Sequence, residues 1–133
     1  EMSASLVGSE MCIRDRIVQS VIDSGQAFNV IYAENDDMAK GAVAALDKAN
    51  ISHGVGKDVI VMGFDCNKWA LEELLNQNWN YDGQCNPYQA SYIEDVIKKL
   101  EAGETLDEKT IIMDEKGFDA TTITQDDVDQ FGI

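Results

Sequence analysis

Polar side chains stand at three places where apolar runs stop. Asn35 follows FNVIYA (residues 28–33) after a single Glu34, Asp65 directly follows VIVMGF (59–64), and Gln84, Cys85 and Asn86 close the short piece YDGQCN (81–86). An amide donates and accepts at once, and a carboxylate accepts from two donors, so this chemistry suits recognition by hydrogen bonds. Bond-breaking sets do not emerge from the spacing. His53 is the single histidine, in the loop ISHGVGKD, with no partner at metal or triad spacing, and reads as an exposed loop residue. Cys12, Cys66 and Cys85 show no CxxC spacing for zinc or redox work. No catalytic residue, no metal site and no cofactor is expected.

The elements that position these residues alternate in kind. Ile13, Ile17, Val18, Val21 and Ile22 recur at helical spacing, and Asp23-Ser24-Gly25 ends that helix with a residue suited to a left-handed cap. FNVIYA reads as a strand buried on both faces. Asp36 and Asp37 follow as helix-start carboxylates, and Met38, Ala42, Val43 and Leu46 give the next helix its apolar stripe. VIVMGF is a second buried strand. A helix around Trp69 to Gln77 comes next, then extended YDGQCN, a helix from about Tyr88 to Glu101, the strand TIIM (110–113), and a solvated short helix in TQDDVDQFGI.

Strict alternation of helix and strand argues for right-handed crossovers. The expected fold is therefore α/β, a three-layer parallel sheet with helices on both faces. Ligands of such sheets sit beyond the carboxyl ends of the strands, where Asn35, Asp65 and the 84–86 group fall. Asx residues at strand-to-helix junctions also cap helices for local reasons, so the pattern alone leaves both roles open for Asn35 and Asp65. Phe64 and the tryptophans Trp69 and Trp79 read first as core, Trp69 and Trp79 packing a helix on the sheet.

Bulk properties narrow the partners. The chain has 133 residues, about one domain's worth, and a net charge of -15, which repels phosphate backbones and anionic lipid headgroups. Nucleic acid and direct membrane insertion are excluded, the latter because no apolar run approaches the ~18 residues of a span. The start of the chain also lacks a basic region followed by an apolar stretch.

Three segments in order, AENDDMAKGAVAAL (33–46), DVIVMGFD (58–65) and CNP (85–87), resemble the C-terminal part of periplasmic sugar-binding proteins of the ribose and galactofuranose-binding type. These are the type I solute-binding proteins of ABC importers, and the similarity runs from about Ile17 to Ile133. It implies that Asn35 and Asp65 hydrogen-bond sugar hydroxyls and that Cys85 stands where ribose-type members carry a third contact, a Gln. Paired hydroxyls of a polyol match an amide and a carboxylate. The resemblance further implies a monosaccharide ligand, an ABC permease as partner, and a place in the periplasm or on the outer surface by a lipid anchor. Two lobes trap the sugar in the family, which would make this chain a fragment and assign residues from about 88 to 105 to the other lobe.

Residues 6–16, LVGSEMCIRDR, resemble the read-through translation of a transposase sequencing adapter. On that reading residues 1–16 are not native, and the family sequence occupies 17–133, starting in mid-helix; Ile13 happens to continue the apolar stripe. Two other readings share the pattern: the effector-binding domain of a lactose-repressor-type transcription factor, and a flavodoxin-like enzyme or phosphoacceptor suggested by paired Asp36 and Asp37. A disulfide between Cys66 and Cys85 is compatible with their places at adjoining segment ends.

Overall fold

The computed structural model describes residues 4–6, 11–106 and 110–133, with side chains from Arg16 onward. Its elements run β1 (Ala4–Leu6), α1 (Met11–Asp23), β2 (Val30–Ala33), α2 (Asp36–Lys48), β3 (Ile60–Asp65), α3 (Lys68–Leu75), β4 (Tyr81–Gln84), α4 (Ala90–Glu101), β5 (Gly117–Asp119) and α5 (Gln125–Phe131). The strands form one mixed sheet in sequence order, β1 to β4 parallel and β5 antiparallel on β4. The α/β class expected from the alternation is the one observed.

Local chemistry explains the boundaries. α1 runs from Met11 to Asp23, and Gly25 just beyond it, with φ 70°, has the left-handed cap conformation. α2 carries Asp36 and Asp37 in its first turn and Lys48 in its last, both favourable to the helix dipole. Its inner side is built from small residues, Ala39, Ala42 and Ala45, with Met38 and Leu46, all buried. α5 is held by a reciprocal capping box between Thr124 and Asp127 and anchored by buried Val128.

Register divides the sheet into two unlike faces. Ile31 pairs Val61, Gly63 pairs Asp82 and Asp82 pairs Phe118, and this face is the buried one. Trp79 lies in the same core and meets Trp69 edge-on, centroids 5.8 Å apart, so the two tryptophans pack α3 as expected. The other face carries Tyr32, Met62 and Tyr81 side by side, with Phe64 5.2 Å from the Tyr32 ring. Tyr32 is exposed and Phe64 half-buried.

The structure corrects three expectations. TIIM (110–113) is not a strand: it has no paired neighbour, and the free edge of β4 is taken instead by Gly117–Asp119. His53 is not an exposed loop residue. Its side chain is only 12% exposed and is pinned by the Asn78 carbonyl at 2.9 Å and by Asp47 at 3.0 Å. Cys66 and Cys85 are free thiols, the first buried and the second exposed, and no disulfide joins them.

Candidate ligand-binding site

β2, β3 and β4 are adjacent and parallel, so their carboxyl ends share one edge of the sheet. Asn35 lies two residues beyond β2, Asp65 is the last residue of β3, and Cys85 follows Gln84, the register partner of Asp65. The fold therefore brings the three predicted residues to a common rim. Asn35 and Asp65 are half-buried and Cys85 is exposed.

Each has a distinct local environment. The side-chain Oδ1 of Asn35 accepts from the Met38 backbone N–H at 2.8 Å, which makes Asn35 the N-cap of α2. That bond fixes the side chain and leaves its NH2 group as the part able to donate elsewhere. Asp65 has φ 120° and Cys66 has φ 61°, two consecutive non-glycine residues in the left-handed half of backbone space. Such strain concentrates at functional turns and persists only where the surroundings over-determine it. Burial first, and then the charge of Asp37, hold the Asp65 carboxyl above its ordinary range.

The restraints on this turn come from both sides. The C-terminal residue folds back, its amide donating to the Cys66 carbonyl at 3.1 Å while its carbonyl accepts from Lys68 at 3.0 Å. From the core, Asp36 Oδ2 accepts from the Asn67 backbone N–H at 2.8 Å and from its side-chain amide at 3.1 Å. Asp36 and Asp82 are both fully buried. Burial is the main cause holding both carboxyls up, Asp36 at about 6 and Asp82 at about 9, the latter raised further by the charge of Asp36. The Cys66 thiol donates to Asp82 Oδ1 at 3.8 Å and is itself pushed up by burial.

From sequence Asp36 reads as a helix-start carboxylate, and Asp82 has no reading of its own. The signal was present in Gly63, a glycine inside an apolar strand, which marks a close approach. A Cβ there would lie 2.6 Å from Asp36 Oδ1. Of the pair behind the phosphoacceptor reading, Asp36 is buried and Asp37 exposed. Among the described residues no group of three or more His, Cys, Asp or Glu side chains is placed to hold a metal ion.

Comparison with known proteins supplies the context. No family profile matches the chain. The fructose import binding protein FruE of Bifidobacterium longum is 34% identical over 92 residues, 69% of this chain and 27% of that protein. The ribose import binding protein RbsB of Bacillus subtilis is 33% identical over 61 residues, 46% of this chain and 18% of that protein. Both relatives of this chain are named as sugar-import binding proteins. Among solved structures, a galactofuranose-binding protein superposes with a TM-score of 0.77 at 21% identity, over 91% of this chain and 41% of that one, a likeness of fold. The chain thus spans about a quarter or less of the two curated relatives. No helix among the described residues is long and apolar enough to cross a membrane.

Proposed function

We propose that the rim formed by Asn35, Asp65 and Cys85 is part of a site that binds a monosaccharide without chemically altering it, for delivery to an ABC permease. The observation that carries this reading is the meeting of those three residues at the carboxyl ends of neighbouring parallel strands, in a chain whose relatives are named as sugar-import binding proteins. Asp65 accepts from two adjacent hydroxyls, and the free NH2 of Asn35 donates to a third oxygen. Cys85 lines the end of β4.

The sugar's opposite side requires a second wall, since small polar ligands are held by burial on most sides. In this reading residues 88–105 belong to that second lobe, and residues 1–16 are foreign to the family sequence. Support for the former is that no residue of α4 is buried while Ile93, Ile97 and Leu100 are at least half exposed. Closure of the lobes on the sugar gives the form a permease recognises, a population shift driven by contacts made across the cleft. The protein works in the periplasm or held to the outer surface by lipid.

The test is calorimetry and thermal shift on the product of the complete reading frame containing residues 17–133, with pentoses, hexoses and polyols. Binding of one monosaccharide, weakened at least tenfold by Asp65→Ala, is expected. Silence across all three classes would sink the assignment.

A further inference from the structure

Asp36 Oδ1 and Asp82 Oδ2 are buried oxygens without any donor among the described residues. Two ionised carboxylates here would each keep one dehydrated oxygen with no donor in return, and would repel each other in a medium of low dielectric. Their placement points to a simpler arrangement. Asp36 Oδ1 sits over Gly63, and Gly63 is the register partner of Asp82, so the two carboxyls meet on one face of the sheet above the β3–β4 pair. One proton between them gives both unpaired oxygens a partner.

We propose that Asp36 and Asp82 hold a single shared proton, and that this pair is the positioning element that fixes the Asn35 turn against the Asp65–Asn67 loop. The mechanical link is direct. Asp36 is the residue after Asn35, and its other oxygen holds Asn67 by two hydrogen bonds, two residues from Asp65. Asn67 spends its side chain on this contact and makes no cap bond to its own helix α3. With the shared proton in place, one buried group joins the strand-to-helix junctions of β2 and β3. When the proton leaves, the pair carries two negative charges in the core beneath the rim. The groups acting on it are acidic as well: Asp65 at the end of β3 and the Cys66 thiol beside Asp82. The positioning role rests on the sugar-site reading of Asn35 and Asp65; the shared proton does not.

The sign of the pH dependence follows from the direction of the shifts. Both carboxyls lie above the ordinary value of 3.8 in the folded chain, so their protonated forms favour folding. That contribution is complete below about pH 4 and is lost progressively as pH rises toward about 9.

The experiment uses the 133-residue chain alone, so its outcome is separate from any sugar assay. Carboxyl carbon resonances of Asp36 and Asp82 are followed by NMR from pH 3 to 10, and thermal unfolding is compared between the wild type and Asp82→Asn. Expected are two coupled midpoints, both well above the ordinary carboxylate range. The wild type should lose on the order of 5–10 °C more than Asp82→Asn between pH 5 and 9, the general repulsion of a highly acidic chain being common to both. Exchange of the Asn67 amide should quicken at least tenfold in Asp36→Ala and return to the wild-type rate in Asp36→Asn, whose carbonyl still accepts that bond. Ordinary carboxylate midpoints for both residues would overturn the shared proton, and this needs no variant to fold. An unchanged Asn67 exchange rate in Asp36→Ala would overturn the positioning role.

Discussion

Helices α2 and α4 are nearly the same length, 13 and 12 residues, and each carries an apolar stripe. α2 buries Met38, Ala39, Ala42, Ala45 and Leu46 and half-buries Val43, whereas α4 leaves Ile93, Ile97 and Leu100 at least half exposed. Side-chain periodicity is therefore not what separates them. α2 sits between two parallel strands that run directly into it and out of its following loop, and its small residues let the backbone approach. α4 follows a strand that ends at the rim, and among the described residues no sheet face lies beneath it. Amphipathicity states which side of a helix seeks a partner, and topology decides whether the partner is there.

Substitutions sharpen that contrast in order of size. Leu46→Ala should destabilise the chain by about 2–5 kcal/mol in denaturant titration, the range for a large-to-small change in a core, while Ile97→Ala should move it by less than about 0.5 kcal/mol. A similar cost for both would show that α4 is packed in solution. Gly63→Ala comes next, at roughly 1–3 kcal/mol, because its Cβ would press on Asp36 Oδ1 and, at 2.9 Å, on the Trp79 ring. A neutral result there would mean that Asp36 does not lie over the strand. Smallest in stability is Ile97→Lys, near zero, but light scattering should show less self-association, since the change breaks an exposed apolar stripe.

Much of the core was legible because its signals are local. FNVIYA and VIVMGF announce strands by composition, although each is buried on one face and not on both, Tyr32 and Ile60 standing exposed on the other, and the Ala-rich run after Asp36 announces a helix. The candidate rim was legible for a related reason: strand ends in a parallel sheet coincide, so Asn35, Asp65 and Cys85 fall together once the strands are placed. TIIM misled because β-branched residues mark strand-forming potential, while pairing requires an edge that GFD occupies. His53 misled because a histidine in a loop has no period to betray its burial; the bonds to Asp47 and Asn78 come from opposite ends of the local structure. Asp82 escaped notice because one carboxylate in a four-residue strand gives no pattern, and its burial depends on Asp36, forty-six positions earlier.

The central claim is that the rim at Asn35 and Asp65 holds a sugar, and titration calorimetry on the product of the complete reading frame addresses it most directly. Fructose and ribose are the first ligands to test, with the wild type beside Asp65→Ala. The account predicts saturable binding of one monosaccharide, with affinity falling at least tenfold, about 1.4 kcal/mol or more, in the variant while its unfolding temperature stays close to the wild type. Equal affinity in the two proteins would contradict it.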